Sequence, residues 1–170
     1  EAAASNSITF MAPSKTFNIA GVVSSYAIVP NPELRERFFS FMDANELDAP
    51  SIFSIEATMA AYRHGAAWRR RMLSYVEGNI KYVDGYLRRN IPQIKAMLPQ
   101  SSFLMWLDCR ELGLEQKKLM RLLEKKAGLY LNDGSMFGEE GTGFVRLNVG
   151  CPRSVLVNAM ARLRDACSRI

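Results

Sequence analysis

A long amphipathic segment, from Trp68 to about Asn90, limits the folds open to this chain more than any other feature. Apolar residues recur in it with the 3.6-residue period of a helix, namely Leu73, Val76, Ile80, Val83 and Leu87. At about 1.5 Å per residue such a helix is roughly 35 Å long, which is enough to connect two lobes. The chain has 170 residues, 48% of them hydrophobic, and is therefore large enough for one core with one or two small lobes.

The part before this helix contains few strands. Residues 8–11 and 21–29 are apolar runs typical of β-strands, and two helices are expected after them. Asn31 and Ser51 are good N-cap residues, so the helices should run from Pro32 to about Asn45 and from Ile52 to His64. Because two strands alone make a poor sheet, this part is expected to be the end of a larger sheet.

The part after the long helix predicts a small α/β sandwich, in which helices pack on a sheet. Its expected elements are a strand over residues 102–108, a helix over 115–127, a short extended run over 129–131, a loop with four glycines over 132–143, a strand over 144–149 and a helix over 154–167. The fold class predicted for the whole chain is therefore α/β.

Charge and cysteine content exclude several classes of protein. The net charge is +5, but each basic cluster, such as Arg69–Arg71, falls in an amphipathic helical pattern and is expected to be a solvated helix face, so no nucleic acid is expected. No apolar run reaches the roughly 20 residues of a membrane span, so no membrane partner is expected. Three cysteines without a C-x-x-C pair suggest neither a metal site nor a disulfide framework, and favour a cytoplasmic location.

Two residues stand out as carriers of chemistry. Lys15 follows a short strand, in a turn restricted by Pro13, and a lysine held in this way can act as a nucleophile towards an aldehyde. From spacing alone, an ordinary solvent-facing lysine is the stronger interpretation. Arg146 is central in an apolar strand, where its planar guanidinium requires a carboxylate, either of a substrate or of a structural salt bridge.

The sequence around these residues resembles a known family. Residues 12–21 read APSKTFNIAG, similar to the cofactor-lysine motif of fold-type I pyridoxal-phosphate enzymes, the class I/II aminotransferase superfamily. Residues 144–153 read FVRLNVGCPR and resemble a second motif of its cystathionine β-lyase, or C–S lyase, branch. Residues 130–143 resemble the loop that precedes this second motif, and the likeness extends over essentially the whole chain.

The resemblance implies a pyridoxal 5′-phosphate cofactor and an amino-acid substrate. Lys15 would bind the cofactor aldehyde as an aldimine and later remove the substrate Cα proton, Ser14 would touch the cofactor phosphate, and Arg146 would hold the substrate carboxylate. A β-lyase would release a thiol, pyruvate and ammonia. The same scaffold also carries aminotransferases, and a folded fragment without catalysis is a third possibility.

The resemblance also implies a domain organisation. Residues 1–67 would be the C-terminal remnant of a large cofactor-binding domain, residues 68–170 would be the small C-terminal domain, and the intact enzyme would be a homodimer. Family members are about twice as long, so a chain of this length alone is expected to turn over little substrate and to retain the cofactor weakly. Val23 stands where many aminotransferases have a phosphate-binding arginine, which favours the lyase branch.

Overall fold

The computed structural model describes residues 2–47 and 49–169, which divide into two compact units between Arg71 and Met72. The first unit contains α1 (Ala2–Ser5), β1 (Thr9–Met11), β2 (Tyr26–Ile28), α2 (Pro32–Ala44) and α3 (Ile52–His64). Helix α4 (Ala66–Asn90) begins in the first unit and continues into the second. The second unit further contains β3 (Lys95–Met97), β4 (Leu104–Asp108), α5 (Gln116–Arg121), a π-helical turn (Leu122–Ala127), β5 (Asn132–Asp133), β6 (Phe144–Asn148) and α6 (Arg153–Cys167).

The two strands of the first unit pair antiparallel, with Phe10 opposite Ala27. The strand predicted over residues 21–29 is only partly correct, because residues 20–22 form a 3₁₀ turn and Val23 has a left-handed backbone with φ of 52°. Val23 is β-branched and favours extended backbone, so the turn must be held by its surroundings. The next residue, Ser24, accepts a 2.8 Å hydrogen bond from the Thr58 hydroxyl of α3, which ties the turn to that helix.

Helices α2 and α3 begin where the sequence predicts, whereas α1 was not predicted and α4 begins two residues before the predicted Trp68. The Asn31 side-chain oxygen accepts hydrogen bonds from the N–H groups of Glu33 and Leu34, at 2.9 and 3.2 Å, and so caps α2. The Ser51 hydroxyl accepts from the N–H of Ser54 and caps α3 in the same way. Both predictions are confirmed, since a cap depends only on residues three or fewer positions apart.

The second unit is built on a four-stranded antiparallel sheet in the order β3-β4-β6-β5. The sequence predicts β4 and β6 but misses β3, because no strand was expected between the long helix and residue 102. The extended run expected over residues 129–131 forms no strand, and β5 follows it directly. The predicted helix over residues 115–127 begins as α5 and ends as a π-helical turn at Gly128, which has a left-handed φ of 63°.

One face of this sheet is buried against the helices. Met105 and Leu107 of β4 and Val145 and Leu147 of β6 are almost inaccessible, and they share one core with residues of α4, α5 and α6. Burial of each such side chain contributes about 1.5–3 kcal/mol to folding. Because side chains alternate along a strand, the intervening residues project from the opposite, more open face. Trp106 lies on that open face.

Within residues 2–47 and 49–169, every helix is too short or too polar to cross a membrane.

Candidate functional site

Lys15 lies in a compact turn directly after β1. The N–H of Phe17 donates to the carbonyl of Pro13 at 2.9 Å, and the N–H of Ile19 donates to the carbonyl of Ser14 at 3.0 Å. Pro13 and Phe17 are buried, whereas the Lys15 side chain is exposed. The turn therefore presents Lys15 outward between two anchored residues.

The anchor on the C-terminal side of Lys15 is an aromatic contact with α3. The Phe17 ring meets the Tyr62 ring edge-on, with centroids 5.3 Å apart. A Cβ atom at Gly65, just after α3, would lie only 2.7 Å from the Phe17 ring, so glycine is required there for this close approach. The Tyr62 hydroxyl lies 3.1 Å from that of Tyr26, and this hydrogen bond, together with partial burial, raises the pKa of Tyr62.

Ser14 is partly buried beside Lys15 in the same turn. Its carbonyl accepts the turn hydrogen bond from Ile19. Among the residues described, none forms a hydrogen bond with its hydroxyl. The turn thus offers an amine and a hydroxyl on adjacent residues.

Arg146 occupies the middle of β6, on the open face of the second unit's sheet. It lies opposite Trp106 of β4 on one side and opposite Asn132 of β5 on the other. Residues paired in this way project on the same face. The Asn132 side-chain oxygen accepts from Arg146 Nε at 3.3 Å and from Nη2 at 3.0 Å, and the centre of the guanidinium lies 4.6 Å from the Phe137 ring centroid.

Among the residues that the structure describes, Arg146 has polar and aromatic partners but no acidic one. Six ion pairs occur in the part of the chain that the structure describes, and none of them includes Arg146. The structural salt bridge that the sequence left open is thus not formed within residues 2–47 and 49–169. A partly buried guanidinium of this kind can receive the carboxylate of a ligand.

The loop over residues 134–143 places Phe137 against Arg146. The loop is tightly closed, since a Cβ atom on Gly134 would lie 2.3 Å from the Gly141 carbonyl oxygen and one on Gly141 would lie 2.0 Å from that of Gly134. Gln116 of α5 holds both ends of the loop. Its amide nitrogen donates to Asp133 at 2.6 Å, and its oxygen accepts from the N–H of Gly143 at 2.7 Å.

Asp133, the residue just before the loop, has a charged side chain that is bound by Gln116. Its carboxylate also accepts hydrogen bonds from the hydroxyl and the N–H of Ser135, at 2.7 and 2.8 Å. Partial burial would raise the pKa of Asp133, but the hydrogen bonds from Ser135 and Gln116 outweigh it and hold the pKa below its ordinary value. The loop that carries Phe137 is thereby fixed by an ionised side chain near neutral pH.

The structure places the predicted site residues in both units. Lys15 and Ser14 lie in the first unit and Arg146 lies in the second. Asn132 and Phe137 were not predicted to have a role, because their contacts with Arg146 arise from strand pairing and loop closure. No group of His, Cys, Asp and Glu side chains suited to a metal ion occurs in the described ranges.

Comparison with known proteins gives consistent relatives. The chain is 36% identical over 162 residues to the cystathionine beta-lyase PatB of Bacillus subtilis, which covers 95% of the chain and 42% of that protein. The chain therefore spans less than half the length of this relative. The search against models of protein families found no match.

Solved structures agree with the sequence comparison. Cystalysin from Treponema denticola, whose structure contains a pyridoxal 5′-phosphate cofactor, matches with a TM-score of 0.93 and 34% identity over 98% of the chain and 42% of its own. An aromatic aminotransferase from Pyrococcus horikoshii matches with a TM-score of 0.85 and 25% identity over 98% of the chain and 44% of its own. In PatB and in cystalysin the chain corresponds to the C-terminal part.

Proposed function

Because the chain belongs to the fold-type I pyridoxal-phosphate enzymes, as a C-terminal portion of such a protein, we propose that it forms the lysine-bearing and carboxylate-binding part of a C–S β-lyase. The observation that carries this proposal is the state of Arg146. Its guanidinium lies on an open sheet face, held by a neutral amide and an aromatic ring, with no carboxylate partner in the described part of the chain. A substrate carboxylate would complete this arrangement.

The residues of the first unit fit the cofactor at two points. The fixed turn after β1 offers the primary amine of Lys15, which would bind the aldehyde group, and the hydroxyl of Ser14, which would donate a hydrogen bond to the phosphate. When bound, pyridoxal phosphate supplies an electron sink for the pair of electrons left on the substrate Cα.

Lys15 and Arg146 would have complementary roles in the reaction. Arg146 would hold the α-carboxylate of the amino acid, and Lys15 would take the proton from Cα. Loss of that proton allows a thiol to leave from Cβ, and hydrolysis of the remainder gives pyruvate and ammonia. The substrates would be cystathionine or other cysteine conjugates.

The two compact units would correspond to two domains of the longer enzyme. The first would be the end of the large cofactor-binding domain and the second the small C-terminal domain, and the complete enzyme would act as a homodimer. The exposed apolar side chains Phe10, Phe41, Phe53 and Val23 of the first unit support this assignment, because a self-contained domain rarely exposes so many.

The second candidate is an aminotransferase with the same residues in the same roles, except that Lys15 would return the proton to the cofactor rather than allow elimination. The likeness to the Pyrococcus horikoshii aromatic aminotransferase supports it, at lower identity than the lyase relative. Product analysis on the native protein separates the two. A lyase forms pyruvate and a thiol from cystathionine, whereas an aminotransferase forms a new amino acid from an added keto acid.

The role of Lys15 can be tested directly on the chain. Incubation with pyridoxal phosphate at an equimolar ratio, followed by borohydride reduction and peptide mass spectrometry, should place most of the bound cofactor on Lys15. Lys15→Ala should remove that adduct. The matched control is Lys81→Ala, which removes an exposed lysine paired with Glu77. An adduct spread evenly over all lysines would contradict the proposal.

A further inference from the structure

Two arginines on the open face of the second unit's sheet each lie over an aromatic ring, but their guanidinium groups have different hydrogen-bond acceptors. Arg110 lies with its guanidinium 4.8 Å from the Phe144 ring centroid, and Arg146 lies 4.6 Å from that of Phe137. The two aromatic rings are joined through Trp106, which is stacked on Phe144 and meets Phe137 edge-on. The two guanidinium groups therefore lie in similar aromatic surroundings and can be compared directly.

The two arginines differ in what occupies the side edge of the guanidinium, the edge formed by Nε and Nη2. In Arg110 this edge donates to both carboxylate oxygens of Asp108, at 2.9 and 2.7 Å. In Arg146 the same edge donates to the single amide oxygen of Asn132. Arg110 thus has its counter-charge, whereas Arg146 keeps a full positive charge beside a neutral acceptor.

The remaining N–H groups of Arg146 define how a ligand must approach. A guanidinium has five N–H donors in one plane, and Asn132 takes the two on the side edge. The guanidinium carbon lies over the Phe137 ring, 4.6 Å from its centroid. The end edge, formed by Nη1 and Nη2, makes no hydrogen bond with any residue of the described ranges. That edge holds two parallel donors suited to one carboxylate.

We infer that Asn132 and Phe137 are positioning residues that turn the end edge of Arg146 towards the substrate carboxylate, which then binds end-on and bidentate. This inference rests on the proposed function, since it concerns the carboxylate that Arg146 would hold. The Asn132 amide fixes the Arg146 guanidinium but leaves its charge in place, whereas the Asp108 carboxylate neutralises the charge of Arg110. The Phe137 ring restricts rotation about the side chain, and Gly134 and Gly141 keep its loop in place.

Acetate is the appropriate probe, because it presents a carboxylate and little else. Side-chain NMR of the arginine Nε–H groups in the whole chain would follow Arg146 and Arg110 in one sample, with sodium chloride at equal ionic strength as the salt control. Acetate should shift the Arg146 signal and leave the Arg110 signal in place, because the Asp108 carboxylate already neutralises the charge of Arg110. Absence of any acetate-specific shift at Arg146, or equal shifts at both arginines, would overturn the inference.

Substitutions then separate positioning from simple structural support. Asn132→Ala should speed hydrogen exchange at Arg146 Nε and weaken acetate binding about five-fold, the net effect of one hydrogen bond. Asn132→Asp keeps the acceptor but adds a counter-charge, and should weaken acetate binding by about ten-fold or more. Phe137→Leu should weaken it about two- to five-fold, and Phe137→Trp should restore it.

The matched control is Tyr82→Leu, which removes an aromatic ring that lies under a different arginine, Arg153, and has no ring contact with Trp106, Phe137 or Phe144 in the described residues. It should leave acetate binding at Arg146 unchanged, and the backbone amide spectrum would show that each variant is folded. Wild-type acetate binding in Asn132→Ala and Phe137→Leu would refute the inference. The Lys15 labelling experiment is independent of this result, so failure of the proposed function and failure of the inference are distinguishable.

Discussion

The buried amide of Asn79 should account for a large part of the stability of the second unit. Asn79 lies on α4 with 0% of its surface exposed. Its amide nitrogen donates to the carbonyls of Val149 and Cys151 at 2.8 and 2.9 Å, and its oxygen accepts from Arg153 Nε at 2.8 Å. One side chain therefore holds the whole segment between β6, which carries Arg146, and α6.

Asn79→Ala removes all three hydrogen bonds and adds none. The carbonyls of Val149 and Cys151 each lose a donor, at about 1 kcal/mol each, and the Arg153 guanidinium loses an acceptor, at about 1.5 kcal/mol. The free energy of unfolding should therefore fall by about 3–4 kcal/mol. With a denaturant dependence of about 2 kcal/mol per molar urea, the unfolding midpoint should fall by about 1.5–2 M.

Urea unfolding of the chain, followed by far-ultraviolet circular dichroism, measures this loss. The matched control is Asn90→Ala on the same helix, whose exposed amide donates only to the Tyr86 carbonyl, at 2.9 Å. That change should cost less than about 0.5 kcal/mol. If Asn79→Ala cost no more than the control, the three hydrogen bonds of the buried Asn79 side chain would not carry the stability assigned to them.

Two further predictions follow from titratable groups in the second unit. The folded-state pKa of Asp133 lies below its ordinary value of 3.8, so its stabilising effect is complete above that pH and is lost as pH falls through the folded pKa. Asp133→Asn should therefore make unfolding midpoints fall less steeply with acid below about pH 4 than in the wild type, and equal slopes would contradict this. Burial raises the pKa of the Cys109 thiol to about 12, so iodoacetamide at about pH 8 should label Cys109 more slowly than Cys167, as peptide mass spectrometry would show. Equal labelling rates would contradict the burial of Cys109.

Much of the helical structure could be read from local sequence. Asn31 and Ser51 start α2 and α3 because a cap is formed by neighbours along the chain, and Gly128 ends its helix because glycine tolerates a left-handed backbone. The strands were less predictable. β3 has three residues and is defined by its pairing with β4, and Val23 leaves the extended conformation that its side chain favours.

The sequence by itself was enough to indicate the likeness to pyridoxal-phosphate enzymes, to place Lys15 in a turn and to place Arg146 in a strand. Each of these rests on a short contiguous motif. Only the tertiary structure decided what surrounds that arginine. Asn132 reaches it through strand register and Phe137 through a closed loop, and both contacts join residues separated along the chain. Whether the guanidinium meets an acid or a neutral amide depends on which strand pairs beside it, and local sequence does not specify strand pairing.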